Sequence, residues 1–454
     1  MKIPAGPAQI LKKLNDSGFQ AYAVGGCVRD TLQGTAPGDW DICTSALPEQ
    51  TEACFPGLHV AETGIKHGTV TVVLEGTPYE VTTFRTDGDY LDHRRPEQVR
   101  FVRSLREDLL RRDFTINAMA VGLDGAIQDP FGGKMDLEHR LIRCVGDPDQ
   151  RFEEDALRIL RGLRFASRLG FSIAAETAAA MERKKPLLAC ISGERIYKEL
   201  TGILVGQYAQ GVLERYGSVL TAVLPEIVPA MGFQQHSLFH NQDVWTHTLE
   251  ALGKSKPDPM IRWALLLHDL GKPECFTLDD RGIGHFYGHP RRSMELAEKI
   301  FDRLRSDKKT RETVCLLVRD HDREAPADLK NARRWIARYG PEVLPLLLEV
   351  KRCDCLAHVD TPKTRQRYDN LMEMTRLIGE CMEREHCFTI HELPVNGGDV
   401  IALGIPAGPQ VGRLLQELLD AVLDGSCPPE RQRLMELLRQ RAAALGSGKE
   451  QYGG

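Results

Sequence analysis

Residues 25–45 read GGCVRDTLQGTAPGDWDICTS, and the reading of this stretch decides the fold. It follows AYAV (21–24), a short run bounded by glycine that has the texture of a strand. Two adjacent glycines, Gly25 and Gly26, between a strand and a helix let the backbone approach a phosphate, and the helix N-terminus offers it free N–H groups. Arg29, on the first turn of that helix, is placed to clamp the same phosphates. Asp39 and Asp41 then open the next strand, where alternate residues share one face. Two like charges side by side are unfavourable unless a cation lies between them. Mg²⁺, which prefers carboxylate and phosphate oxygens, is the expected occupant. Either motif alone is more often a plain turn; in series they point to a metal-dependent phosphate site.

The strands around it extend the same texture. TVTVVLEG, YEVTTFR and FTINAMAVGL are β-branched or aromatic runs with helical stretches between them, so residues 1–140 read as α/β. Glu80, on a later strand, can supply a third carboxylate or simply face solvent. In Arg111-Arg112-Asp113 the arginines can meet phosphates and Asp113 can accept from a ribose hydroxyl; the plainer alternative is a helix-end salt bridge.

From Phe152 onward nearly everything carries the 3.6-residue helical period. Residues 151–164 (RFEEDALRILRGLR) read as one helix on which Asp155 and Arg158 are neighbours, with Arg161 and Arg164 continuing the row. Such a row is commonly a salt bridge beside solvated arginines. It can also read a base, because a carboxylate beside a guanidinium presents an acceptor next to donors. Cytosine offers its 4-amino group beside N3, and adenine its 6-amino group beside N1; uracil and guanine present the reverse. Further on, His247, His268-Asp269, His289, His321 and Asp354 are spread along a helical stretch, with Asp320 and Asp322 competing with Asp354 as the last carboxylate. Imidazole and carboxylate ligands suit a divalent transition metal or Mg²⁺.

Composition sets the limits. The 454 residues suggest two to four domains, and 42% hydrophobic with 27% charged residues is ordinary for a soluble globular protein. No apolar run is long enough to span a bilayer, and the first residues lack a signal peptide's apolar core. Twelve cysteines without a C-x-x-C pair fit reduced thiols in a cytoplasm. The net charge of −5 does not exclude RNA, since seven arginines lie between Arg140 and Arg168 and seven more between Arg94 and Arg112.

GGCVRDTLQG and GDWDICTS, followed by EVTTFRTDGDYLDHRRPEQVRF and RRDFTINAMA, closely resemble the class II polymerase-β-like nucleotidyltransferases, the branch holding the bacterial CCA-adding enzymes and poly(A) polymerases. The resemblance implies an α/β nucleotidyltransferase head followed by an all-α neck, body and tail. It implies Mg²⁺ on Asp39 and Asp41, the triphosphate on Gly26 and Arg29, and the nucleotide on Arg112 and Asp113. Two Mg²⁺ ions would activate the tRNA 3′-hydroxyl and neutralise the leaving pyrophosphate. Asp87–Arg95 corresponds to the family's flexible loop. E-D-A-L-R resembles the nucleotide-template motif, with Asp155 and Arg158 as base readers, and Gly193–Glu199 resembles the bracing motif after it. Poly(A) polymerases of this branch tend to carry Pro at the place of Ala156, which favours CCA addition.

The histidine set is similar to the HD phosphohydrolases, implying metal-dependent hydrolysis of phosphoesters such as RNA 3′-phosphates or 2′,3′-cyclic phosphates. The tail (NGGDVIALGIPAGPQVG onward) resembles the CCA-adding enzymes' C-terminal domain and suggests a tRNA-elbow surface. The expected division is a head at 1–140, a neck at 141–235, an HD domain at 236–390 and a tail at 391–454. The expected activity is addition of C, C and A to tRNA from CTP and ATP, by a cytoplasmic monomer or homodimer with no DNA or membrane partner. The alternatives are a poly(A) polymerase, or an HD phosphohydrolase whose head only binds RNA.

Overall fold

A computed structural model describes residues 1–87, 99–237 and 241–447. The loop expected at Asp87–Arg95 lies almost wholly outside the described residues. The chain divides into two compact units, residues 1–228 with 299–307, and residues 229–298 with 308–454. No helix among the described residues is long and apolar enough to cross a membrane.

The first unit is built on a seven-stranded mixed sheet in the order β3-β4-β5-β2-β1-β8-β9. Its strands are β1 (Ala21–Val24), β2 (Ile42–Thr44), β3 (His59–Gly64), β4 (Thr69–Leu74), β5 (Thr77–Thr83), β8 (Ala120–Val121) and β9 (Ile127–Gln128). A separate ribbon pairs β6 (Arg85–Asp87) with β7 (Val99–Phe101). In β4, Val70, Val72 and Leu74 point inward and the intervening residues outward, the alternation of a half-buried strand. The β4–β5 hairpin closes through Glu75-Gly76, both with positive φ (51° and 79°), the two-residue turn whose twist matches its strands. Around the sheet lie α1 (Ala5–Asp16), α2 (Gly26–Leu32), α3 (Pro48–Ala53), α4 (Leu105–Leu110) and α5 (Gly133–Glu138). α1 buries Ile10, Leu11 and Leu14, one stripe of its surface.

Two expectations are corrected here. FTINAMAVGL is not one strand: Thr115–Asn117 is a 3₁₀ turn and only Ala120–Val121 is strand. The side chains explain it, since Asn117 donates to Asp113 and Thr115 to Asp136, contacts an extended chain would not make. Residues 151–164 are not one helix either: α6 (Pro148–Glu154) ends and α7 (Leu157–Leu169) begins, with Asp155 extended between them (φ −141°, ψ 101°). Asp155 Oδ1 accepts from Leu157 N–H at 3.1 Å, so the carboxylate caps α7 instead of lying on it.

The neck continues as α8 (Ala175–Lys184), α9 (Gly193–Leu204) and α10 (Ala209–Leu220), with a short parallel pair, β10 (Leu141–Ile142) and β11 (Ser172–Ile173). The second unit is helical apart from the hairpin β12 (Thr277–Leu278) and β13 (Gly284–His285). Its helices are α11 (Val244–Gly253), α12 (Pro259–Leu267), α14 (Lys308–Asp320), α15 (Leu329–Leu356) and α16 (Pro362–Arg384), together with the start of α13 (His289–Leu304). α15 is kinked at Gly340 (φ 69°), just before Pro341. The tail adds α17 (Gly397–Ala402), α18 (Pro409–Leu423) and α19 (Arg431–Ser447), sharing a core of Val400, Leu414, Leu418, Val422, Leu434 and Leu438.

Candidate active site and candidate metal centre

The Gly-Gly turn forms as the sequence predicts. Gly25 takes φ 83°, and a Cβ there would stand 3.1 Å from Arg112 Nη1, so glycine is required both by conformation and by that guanidinium. Gly26 opens α2. Asp39 and Asp41 do not open β2 but just precede it, since the strand begins at Ile42, three residues later than expected. In the parallel β2–β5 pair Ile42 lies opposite Val81, which sets Asp41 beside Glu80. The three carboxylates feel one another: burial, then Asp39, then Glu80 push Asp41 up to about 6, and only Arg112 opposes them. A half-buried acid crowded by two more is a site that a divalent cation relieves, and this donor set fits Mg²⁺.

The other head residues are held from behind. Arg29 is buried; its Nη1 donates to Asn117 Oδ1 at 2.5 Å and its Nε to Asp30 at 2.8 Å. Asp108, which the sequence reading missed, accepts from Arg111 at 2.8 Å and pairs with Arg112 at 3.4 Å. The salt bridge considered for RRD therefore exists, but with Asp108. Asp113 is buried and accepts from Arg161 Nε at 2.9 Å, Arg161 Nη2 at 2.7 Å and Asn117 at 3.2 Å. Burial alone would raise its pKa, but Arg161 and Asn117 bring it down to about 2.

The expected neck row is redistributed. Asp155 pairs with Arg195 at 3.2 Å, whereas Arg158 donates to Glu154 at 2.7 Å and to the Arg111 carbonyl at 2.8 Å. Across the helix break Asp155 thus faces Arg195 while Arg158 faces Glu154. Arg161 and Arg164 are half-buried and paired: Arg161 holds Asp113, and Arg164 holds Glu199 at 2.6 Å. Arg195 and Glu199, both on α9, thus bond Asp155 and Arg164. Phe165 gathers three guanidinium groups, those of Arg29, Arg161 and Arg164, at 5.3, 5.7 and 5.0 Å from its ring centre. No periodicity marks that role in the sequence.

In the second unit the dispersed histidines and aspartates converge. His247 Nε2 lies 3.0 Å from Asp354 Oδ1 and 3.6 Å from Asp269 Oδ2; His268 Nε2 lies 3.2 Å from Asp269 Oδ2. His289 Nε2 and His321 Nε2 reach Asp269 Oδ1 at 3.3 and 3.8 Å. Asp354, on α15, is the carboxylate that joins the set: Asp320 instead bonds Arg319 and Tyr339, and Asp322 bonds Arg367. Burial opposes the charge on Asp269, but His268 and Lys272 hold it well below the ordinary carboxylate range.

The second ring nitrogens are informative. Nδ1 of His268, His321, His289 and His247 lies 2.7, 2.7, 2.9 and 3.3 Å from the carbonyls of Leu265, Val318, Phe286 and Ala357. A carbonyl only accepts, so each Nδ1 carries a proton and each ring turns its Nε2 inward. That arrangement is how metal-ligating histidines are oriented. Nε2 of His268 has no hydrogen-bond partner although fully buried. The donor set fits a divalent metal. His358, absent from the sequence reading, packs against His247 with ring centres 5.2 Å apart.

A Poly A polymerase head domain model matches residues 21–143, an RNA and SrmB-binding site model of polymerase A matches 170–231, and a tRNA nucleotidyltransferase domain 2 model matches 292–438. The CCA-adding enzyme of Geobacillus thermodenitrificans is 39% identical over 438 residues, covering 95% of this chain and 96% of its own. That of Streptococcus mutans is 34% identical over 436 residues, with the same coverage. The solved CCA-adding enzyme of Bacillus stearothermophilus in complex with CTP superposes with a TM-score of 0.71 at 32% identity, covering 99% of this chain and 100% of its own. The Thermotoga maritima CCA-adding enzyme complexed with tRNA shares the fold, with a TM-score of 0.58 at 21% identity.

Proposed function

Because the chain belongs to the CCA-adding enzymes, the nucleotidyltransferases that complete tRNA 3′-ends from CTP and ATP, we propose that its chemistry is carried by Asp39 and Asp41. The observation that carries this reading is the register that sets Asp41 beside Glu80, with burial and the charges of Asp39 and Glu80 raising Asp41 to about 6. Asp39 and Asp41 hold Mg²⁺, with Glu80 beside them as the third carboxylate. Bound there, the divalent ions supply activation of the tRNA 3′-hydroxyl and neutralisation of the leaving pyrophosphate. Gly25 and Gly26 let the triphosphate approach the backbone, and Arg112 faces that turn. Arg29 holds the turn from behind through Asn117, and Asp113, fixed by Arg161, orients the nucleotide.

Asp155 and Arg158 select the base. A carboxylate accepts from the exocyclic amine of C or A while a guanidinium donates to the adjacent ring nitrogen; U and G offer the wrong polarity at both atoms. Both residues have other partners here, so base reading requires Arg195 to yield Asp155 and Glu154 to yield one N–H of Arg158. Asp39→Ala or Asp41→Ala is expected to abolish incorporation of both CTP and ATP while tRNA binding persists. Appreciable extension by the double variant would remove the head assignment.

The carbonyl-locked histidines favour a second activity on the same chain. His247, His268, Asp269, His321 and Asp354, with His289 at Asp269, hold a divalent metal and hydrolyse a phosphoester. Metal retained by the purified full chain, and lost in His268→Ala, is the direct check.

A further inference from the structure

The candidate metal centre opens into a cavity of about 730 Å³, within the range of small-molecule sites. Its lining includes the metal-side residues Asp269, His289, His321 and Asp354, and also His285 and Tyr287. Tyr287 is 78% exposed, more than any other large apolar side chain among the described residues. An aromatic ring so exposed would ordinarily be loose. This one is stacked on His285, with ring planes 7° apart and centres 5.4 Å apart. His285 is fixed in turn by Asp279, 3.2 Å from its Nε2, on the same hairpin. Phe286, between them in sequence, also lines the cavity and packs on Phe276. The result is a braced aromatic plane with one open face, two residues before a metal-side histidine. Tyr287 and His289 line the same cavity, so a ligand in it can meet the ring and the metal-side groups together.

We infer that Tyr287 is the surface on which the base of a nucleotide phosphoester stacks while its phosphate lies at the metal centre. The inference rests on the metal-centre reading above and names what that centre takes: a terminal phosphoester carrying a purine or pyrimidine, rather than a small alkyl phosphate. Hydrolysis there breaks the ester P–O bond and forms one to the water oxygen, with the proton passing to the leaving alcohol. A stacking plane accepts every base, so selection is for the presence of a base and not its identity. The terminal nucleotide can be free or the last residue of an RNA, and both are tested.

The full chain supplied with Mn²⁺ is assayed on nucleoside 3′-monophosphates, on short RNAs ending in 3′-phosphate, and on base-free glycerol phosphate and ribose phosphate. The wild type is expected to favour the base-bearing substrates. Tyr287→Ala should raise their KM roughly ten- to a hundredfold with kcat little changed, leave the base-free substrates unaltered, and be rescued by Tyr287→Trp. If only the RNA arm responds, the occupant is a 3′-end; if both respond, a nucleotide suffices. Equilibrium dialysis of adenosine 3′-monophosphate against Mn²⁺-loaded wild type and Tyr287→Ala gives the comparison without turnover, because the head's nucleotide binding is common to both. Equal selectivity and equal binding in the two proteins would overturn the stacking role and leave the metal centre standing. Failure to bind metal or hydrolyse any substrate would remove the metal centre and the stacking role together.

Discussion

Asp155 has two jobs in the structure, and two substitutions separate them. Asp155→Ala removes the cap on Leu157 and the charge that holds Arg195; Asp155→Asn keeps an oxygen for the cap and loses only the charge. Both should lower efficiency with CTP and ATP by roughly ten- to a hundredfold, given about 1–3 kcal/mol for a bidentate base contact, and raise relative use of UTP and GTP. Only Asp155→Ala should also lose about 1 kcal/mol of cap stability in thermal unfolding. The measurement is single-nucleotide extension of a tRNA ending at the discriminator base, and a uniform rate loss with unchanged selectivity would make Asp155 a cap alone. Asp113 makes a pH prediction. Its folded pKa of about 2 lies below the ordinary 3.8, so its contribution is complete above pH 4 and fades as pH falls towards 2. The shift corresponds to about 2 kcal/mol, and Asp113→Asn should flatten the pH dependence of unfolding in that window. At this scale the sequence displays the acids, because Asp39 and Asp41 follow the Gly-Gly turn in series, where either motif alone would read as a plain turn. It hides their partners: Arg161 lies 48 residues from Asp113, and Asp108 looks like any helix acid.

The element that resisted reading is the α6–α7 break. E-D-A-L-R contains no residue that terminates a helix, and continuous helix is the natural reading of its period. Asp155 leaves the helical conformation because its carboxylate finds the Leu157 amide and a cation from α9, a preference set by tertiary contacts. The strands around the Gly-Gly turn were legible because alternation and turn residues agree there. Just past the end of α9 the chain passes close to α7 at Gly206. A Cβ on Gly206 would stand 2.6 Å from the Ser167 carbonyl oxygen, an atom that cannot swing aside. Gly206→Ala is therefore expected to destabilise the first unit by about 1–3 kcal/mol, read as a lower midpoint in urea. An unchanged midpoint would mean that the neck relaxes freely.

Two constellations on one chain make the activities separable. His268→Ala removes a proposed metal ligand in one compact unit, while Asp39 and Asp41 lie in the other. The variant should lose bound metal at the histidine centre and all metal-stimulated phosphoester hydrolysis, yet add C, C and A at close to the wild-type rate. Collapse of CTP incorporation in a folded His268→Ala protein would contradict independent sites. The four scattered histidines were visible as a set because His-Asp closes the apolar run WALLL, an unusual place for charge. Which aspartate completed it was decided only by packing, which spends Asp320 on Tyr339 and Asp322 on Arg367.

The backbone bond at each Nδ1 means that a histidine here is two side chains in one. Asparagine carries its amide as far from Cβ as Nδ1 lies, and glutamine as far as Nε2. His321→Asn can therefore keep the bond to the Val318 carbonyl while leaving nothing at the centre, and His321→Gln can reach the centre while abandoning the carbonyl. The first should bind metal weakly in a protein of near-normal stability; the second should unfold more readily by about 1 kcal/mol. No single genetic step supplies both halves, so drift away from histidine at these positions must first surrender either the metal or the local fold.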